Sequence, residues 1–220
     1  VEKQLKVLNF QKSFFYFLQK YLFLRIKKSI FLLKINNLKN IFSQYKPFFI
    51  FLSKFLLFYV VFIFVYKVYL NQYSIEKNEV DRFTEVVAKQ TVLVLNLLGE
   101  PSFATPNEFE PSVKVFYNYK YIARVVEGCN AISVMILFAT FVFSFSNQWK
   151  KTAVYIFIGI LLIHVLNVIR IALLSFALYY YPEYGKILHG TVFPLFIYGV
   201  VFLLWILWIT KFSSYVKKNE

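Results

Sequence analysis

The chain has 220 residues, of which 59% are hydrophobic and only 16% are charged, whereas a water-soluble domain carries about 25% charged residues. This composition excludes an ordinary soluble domain and indicates a bilayer as the main solvent, provided that apolar runs of about 20 residues occur. The net charge of +14 would suggest nucleic acid in a soluble chain, but in a membrane chain Lys and Arg gather on the cytoplasmic side.

The first 46 residues are strongly basic, with ten Lys or Arg and one acidic residue, Glu2. Aromatic and apolar side chains recur there at helical spacing, which predicts a basic amphipathic helix on the membrane surface. We expect no cleaved signal peptide, because the apolar stretches are short and no small-residue cleavage site follows. Since the chain starts with Val1, an over-extended gene start is a second interpretation of residues 1–46.

Four apolar runs predict an all-α integral membrane fold with about four transmembrane helices. A tight basic turn at Lys150–Lys151 separates the second run from the third, and twelve uncharged residues follow Arg170, so the third helix is long, tilted or broken. We expect a membrane domain over residues 47–211 and a basic tail over residues 212–220. The predicted spans are residues 48–66, 129–149, 152–170 and 187–210.

Residues 71–128 form the only long polar stretch of the sequence. A stripe of apolar residues over 80–98 ends at Gly99 and predicts an amphipathic helix with a glycine C-cap. This helix either packs on the bundle or membrane surface or holds substrate. Partial alternation over residues 113–126 predicts a short hairpin that turns near Asn118. The segment between helix and hairpin reads as a loop, marked by Pro101, Pro106 and Pro111.

The distribution of charge predicts the topology. With the N-terminus inside, the inner segments together carry +13, while the outer segments, residues 71–128 and 180–189, carry −2 and 0. The opposite orientation would place +13 outside, against the positive-inside rule. We therefore expect both termini in the cytoplasm and a small extracytoplasmic segment over residues 71–128. The charge then requires no nucleic-acid partner.

This topology brings three reactive side chains to the outer leaflet: Cys129 opens the second span, Arg170 ends the third, and His189 lies near the start of the fourth. A thiolate is a nucleophile, a nearby imidazole can take its proton, and a guanidinium offers several donors to an oxyanion. Each residue alone has a simpler interpretation: Cys129 as packing, Arg170 as a snorkelling anchor, His189 as an interfacial side chain. Their joint placement favours a catalytic set.

His164 is the competing histidine, because it lies six residues before Arg170 and therefore about 9 Å deeper along a helix. Together with Asn167 it forms a polar stripe, which we interpret as interhelical hydrogen bonding. The sequence has no paired His-Cys spacing, no phosphate-binding glycine loop and no dinucleotide fingerprint. We expect no metal and no cofactor.

Three short motifs resemble those of the exosortase/archaeosortase family, in the same order and at the same spacing: Gly128-Cys129-Asn130-Ala131-Ile132, Asn167-Val168-Ile169-Arg170-Ile171 and His189-Gly190-Thr191-Val192-Phe193. The resemblance covers about residues 45–210, and the short chain resembles the F-type exosortases. It implies a membrane cysteine transpeptidase or protease that processes C-terminal sorting tags. It also implies roles for Cys129 as nucleophile, His189 as proton-transfer partner and Arg170 as transition-state stabiliser. Many members have more spans, and many have Gly where this chain has Ala131.

The sequence thus predicts a multi-pass enzyme of the bacterial inner membrane, whose partners are the lipid bilayer and membrane-anchored exported proteins with a sorting tag. Two alternatives remain: a non-enzymatic channel or transporter subunit with a polar path lined by Arg170, His164 and Asn167, and an assembly factor without turnover. A transporter tolerates the loss of Cys129, and a transpeptidase does not. The sorting motif, the acceptor (water or an amine), the oligomeric state and the role of residues 71–128 stay open.

Overall fold

The structure is a computed structural model that describes residues 44–74, 76–146 and 148–212. The basic helix predicted within residues 1–46 and the predicted tail over residues 212–220 therefore lie almost wholly outside the described residues. The chain divides into one compact unit up to Leu52 and a second from Ser53 onward. All packing and site geometry below belongs to the second unit.

The described elements are five helices and three strands, joined by short turns. In chain order they are α1 (Lys46–Leu70), α2 (Arg82–Leu97), β1 (Ser102–Pro106), β2 (Ser112–Tyr117), β3 (Lys120–Val126), α3 (Ile132–Ser144), α4 (Trp149–Tyr180) and α5 (Phe193–Leu207). A 3₁₀ turn, Glu127–Cys129, connects β3 to α3, and a π-helical segment, Leu188–Val192, precedes α5.

Three helices are long and apolar enough to cross a membrane: α1, α4 and the continuous helical run Pro182–Lys211 that contains α5. The prediction of an all-α, multi-pass membrane fold is confirmed. The second predicted span, residues 129–149, is shorter than expected, because α3 has only 13 residues. At 1.5 Å per residue it is about 20 Å long, against about 30 Å for a bilayer core.

Helix α4 is longer than the predicted third span. It has 32 residues, about 48 Å, and it runs unbroken for ten residues past Arg170. Lys150 and Lys151 lie in its first turn, so the basic turn predicted there is wrong: the helix begins at Trp149, directly after Gln148. A helix of this length extends beyond the bilayer and offers its last turns to another part of the chain.

Residues 71–128, hereafter the insert, contain the predicted amphipathic helix and hairpin, and both are confirmed. Asp81 caps α2 by accepting a hydrogen bond from the backbone N–H of Thr84 at 3.0 Å, and Gly99 follows the helix with a φ of 102°. The hairpin turns at Asn118 and Tyr119, whose φ values of 48° and 60° match the paired left-handed residues of a tight hairpin turn.

The segment predicted as a proline-marked loop contains a strand. β1 pairs antiparallel with β2, and β2 with β3, to give a three-stranded sheet in the order β1-β2-β3. Pro106 is the last residue of β1, an edge strand, where a missing N–H is tolerated. One face of the sheet is buried, and burial raises the pKa of Tyr117 on that face to about 12.

Two hydrophobic cores are built along α4. The first joins the end of α4 to α2 and the inner face of the sheet, through residues such as Ile171, Ala172, Val87 and Val115. The second joins the middle of α4 to α3 and to the C-terminal helical run. The turn that carries Cys129 lies where the chain passes from the first core to the second.

Candidate active site

Cys129 is presented by a compact turn between β3 and α3. It ends the 3₁₀ turn Glu127–Cys129, and Asn130 and Ala131 follow before α3 begins at Ile132. The Asn130 Oδ1 accepts a hydrogen bond from the backbone N–H of Ile132 at 2.9 Å, and so caps the helix from inside the turn. Cys129 is half-buried and packs against the first core. The thiol therefore precedes α3 by three residues and does not itself open the helix.

A buried hydrogen-bond network ties this turn to α1 and α2. Asn130 Nδ2 donates to Thr84 Oγ1 at 3.0 Å, and Thr84 Oγ1 donates to Asp81 Oδ2 at 2.6 Å. The Tyr66 hydroxyl donates to Glu127 Oε1 at 2.6 Å. Asp81, Thr84 and Asn130 are buried, and a satisfied buried network of this kind makes one backbone arrangement rigid. The sequence interpretation missed these residues, because the pairs lie 46 and 61 positions apart.

Asn167 and Arg170 lie one turn apart on α4 and reach the same turn. Asn167 Nδ2 donates to the Cys129 carbonyl oxygen at 2.8 Å. Its Oδ1 accepts from Arg170 Nη1 at 3.0 Å. Asn167 is fully buried, and the hydrogen bonding predicted for it is present, but it joins α4 to the Cys129 turn and to Arg170 of the same helix and not to another helix.

The Arg170 guanidinium is joined to the Cys129 turn through Asn167, and Cys129 and, on α5, Tyr198 lie within electrostatic range of it. Its Nε is buried and has no hydrogen-bond partner among the residues that the structure describes. Cys129 and Arg170 are thus tied to one another through Asn167, which holds one guanidinium donor, and their joint role in a catalytic set stays a prediction. Tyr198 was missed, because nothing in its apolar surroundings distinguishes it from a lipid-facing tyrosine.

His189 does not complete the set in this structure. Its side chain is exposed within the π-helical segment, and no hydrogen bond joins it to Cys129 or Arg170 in the described part of the chain. His189 lies seven residues after Pro182, about 10 Å along the C-terminal helical run from the turn that follows α4. Arg170 lies ten residues before Tyr180, about 15 Å from the same turn. Their depths thus agree within one helical turn.

His164 has a different partner. Its Nε2 is hydrogen-bonded to Gln90 Oε1 at 2.7 Å, and its ring contacts that of Phe83 at a centroid distance of 5.4 Å. This bond links α4 to α2, and the interhelical interpretation of His164 is confirmed. Over residues 44–74, 76–146 and 148–212, no three His, Cys, Asp or Glu side chains gather as metal ligands.

The arrangement offers a nucleophile and a cation that Asn167 ties to the same turn. A thiol beside a guanidinium with an unused donor can attack a carbonyl and stabilise the oxyanion that forms, which is the chemistry of acyl transfer. The turn and its network supply rigidity, and α4 supplies the cation.

Comparison with protein families gives one match. The family described as transmembrane exosortase matches residues 48–211, which is well over half of the chain and includes Cys129, Asn167, Arg170 and His189. No curated protein and no solved structure matches the chain.

Proposed function

Because the chain belongs to the transmembrane exosortase family, we propose that it is a membrane-embedded cysteine transpeptidase or protease. Its substrates are exported proteins that carry a C-terminal sorting tag, and cleavage takes place at the outer face of a bacterial inner membrane. The observation that carries the proposal is the Asn167 side chain, which bonds both the Cys129 backbone carbonyl and the Arg170 guanidinium and so ties the proposed nucleophile to the proposed cation.

In the proposed reaction His189 takes the proton of the Cys129 thiol and becomes an imidazolium. The thiolate attacks the scissile carbonyl, a C–S bond forms, and the carbonyl electron pair moves onto oxygen. Arg170 donates hydrogen bonds to this oxyanion. When the tetrahedral intermediate collapses, the C–N bond breaks and the imidazolium of His189 gives its proton to the leaving amine. The acyl group is then transferred to an amine in a transpeptidase or to water in a protease: His189 takes the proton of this acceptor, the C–S bond breaks and the Cys129 thiolate leaves.

His189 must approach the thiol for this reaction. Catalytic hydrogen bonds are often long or absent without substrate and tighten in the bound complex. The π-helical segment that carries His189 is a single-turn irregularity of a kind frequent at functional sites. Substrate that enters between α4 and the C-terminal helical run would bring His189 and the Cys129 thiol together around the scissile bond.

The contacts of the described residues do not favour the channel alternative. That alternative required Arg170, His164 and Asn167 to line a polar path, but Asn167 is fully buried and bonded on both its polar atoms. His164 is paired with Gln90. Hydrogen-bonded groups of this kind join elements of the protein and leave few polar atoms for a conduction path.

The test is processing of a tagged substrate in membranes, normalised to enzyme abundance. Cys129→Ala should abolish tag removal, and His189→Ala should be nearly as damaging, because members of one catalytic unit are not additive. Arg170→Lys keeps the charge but loses the planar fork of donors, so we expect a loss of about 10²–10³ in rate. His164→Ala is the control, and it should change abundance or nothing.

Normal processing by Cys129→Ala would overturn the proposed function. Normal processing by Arg170→Lys, with Cys129→Ala inactive, would keep the nucleophile and leave Arg170 only an electrostatic or structural part. Loss of processing in His164→Ala at normal abundance would transfer the histidine role from His189 to His164.

A further inference from the structure

Asn167 uses both of its polar atoms at the candidate site. Its amide nitrogen donates to the backbone carbonyl of Cys129, and its amide oxygen accepts from the Arg170 guanidinium. The side chain is fully buried, so water does not compete for either bond. Asn167 thus joins the backbone of the nucleophile to the side chain of the cation.

The orientation of this amide is determined by its partners. A guanidinium has only donors and a carbonyl has only lone pairs, so the Asn167 oxygen must face Arg170 and the nitrogen must face Cys129. Reversing the amide would lose both bonds in a buried environment, where each unpaired group costs free energy. Asn167 therefore sets one position for Arg170 relative to the thiol.

We propose that Asn167 is a positioning residue that holds the Arg170 guanidinium against the Cys129 turn and leaves its buried Nε free for the substrate's oxyanion. The inference rests on the proposed function, because the oxyanion exists only if Cys129 attacks a carbonyl. By occupying Nη1, Asn167 prevents the guanidinium from turning away from the Cys129 turn. Asn167 bonds the backbone of Cys129 and acts through Arg170.

Substitutions at residue 167 separate the two bonds. Asn167→Asp keeps an acceptor for Arg170 but loses the donor to the Cys129 carbonyl, while Asn167→Ala loses both. A matched control is Ser175→Ala on the same helix. Ser175 is also fully buried, and its hydroxyl donates only to the Ile171 carbonyl, so its loss tests destabilisation without touching the site.

A pair of thiol reagents of different charge reports the position of Arg170 independently of catalysis. Iodoacetate is an anion and iodoacetamide is neutral, so the ratio of their alkylation rates at Cys129 measures the positive charge beside the thiol. Cys129 is the only cysteine, and no other thiol contributes. Relative to the unmodified protein, Arg170→Gln should lower the ratio about fivefold or more.

Asn167→Ala should lower the ratio towards the Arg170→Gln value, and the double variant should equal Arg170→Gln alone, because both changes remove one interaction. Asn167→Asp should lower it as well, since its carboxylate neutralises the cation. Ser175→Ala should leave it unchanged. With a tagged substrate, Asn167→Ala should reduce kcat about 10²-fold with little change in KM, as expected for a misplaced group.

An unchanged reagent ratio in folded Asn167→Ala would overturn the positioning role. If Asn167→Ala does not accumulate, an unchanged ratio in Asn167→Leu, which fills a similar volume but makes neither bond, overturns it equally. The two proposals fail separately. Normal processing by Cys129→Ala removes the proposed function and leaves the reagent ratio interpretable, whereas an unchanged ratio with Cys129→Ala inactive removes only the role of Asn167.

Discussion

Ala131 decides how the turn presents Cys129. Its backbone is left-handed, with φ of 64° and ψ of 11°, a conformation that costs a residue with a Cβ atom roughly 1–2 kcal/mol. Its side chain is buried, so the packing of the methyl group offsets part of that free-energy cost. The position thus accepts alanine although its conformation favours glycine.

The effect of a substitution at residue 131 should therefore depend on the shape of the new side chain. Ala131→Gly relieves the backbone but loses a buried methyl group, so we expect a stability change within about 1 kcal/mol and normal processing. Ala131→Val places a β-branched side chain in the left-handed region, where it is a genuine outlier, and should lower both stability and activity. Thermal unfolding in detergent, with the processing assay, measures both. Equal behaviour of the Gly and Val variants would contradict this account.

The residues that meet at the site could be predicted only in part. The predicted topology alone placed Cys129 and Arg170 at the same membrane depth, because each residue lies at the end of an apolar run. Asn130, Asn167 and Tyr66 could not be predicted in their roles, since a hydrogen bond between distant positions leaves no local pattern. The exposed position of His189 depends on the π-helical segment, which hydropathy does not report.

At the scale of elements, α3 and α4 approach closely at Gly159. A Cβ atom added there would overlap the ring of Phe138 on α3, and both residues are buried. Small residues allow membrane helices to pack closely, because association depends there on van der Waals contact. The contact fixes α3, and with it the turn that precedes it, against the helix that carries Arg170.

Gly159→Ala should overpack this contact and destabilise the protein by about 1–3 kcal/mol. Gly199→Ala on α5 is the matched control, because a Cβ atom there meets nothing within 4 Å, and it should be neutral or slightly stabilising. Adding Phe138→Leu to Gly159→Ala should recover part of the loss, since the two sites are in contact. Equal unfolding temperatures of the two alanine variants would refute the close approach.

The elements that the sequence predicted well were those with their own local signals. α2 has a capping Asp and a following Gly, and the hairpin has Asn118 at its turn. β1 was missed because Pro101 and Pro106 flank it, although the strand needs only its pairing with β2 to form. The length of α3 was overestimated because the run without charged residues continues, at both ends of the helix, across residues whose backbone is not helical, such as Asn130 and Ser146.

At the scale of the whole molecule, α4 connects the apolar bundle to the insert. Its middle packs in the second core and its end in the first, and Asn167 and Arg170 lie between them. Because the insert packs around the projecting end of α4, the site forms at the boundary of the two cores. A rigid insert there can hold the Cys129 turn in place, while the helical run that carries His189 stays free to approach the thiol.

The direction in which α4 crosses the bilayer is the remaining property of the whole molecule. Lys150 and Lys151 lie in its first turn, where cations oppose the helix dipole, so helix electrostatics do not account for their position. The positive-inside rule does account for it, and it agrees with the charge difference between the inner segments and the insert.

Reporter fusions test this orientation directly. Fusions at residue 148 and at the C-terminus should give cytoplasmic signals, and a fusion near residue 110, in the insert between β1 and β2, should give an outside signal. Replacing Lys150 and Lys151 with Gln should weaken the cytoplasmic signal at residue 148, since it removes the charges that retain this end, while replacing Lys89 and Lys114 of the insert should not. An outside signal at the C-terminus would reverse the predicted orientation. It would put Cys129, Arg170 and the insert in the cytoplasm, where a translocated substrate does not reach them.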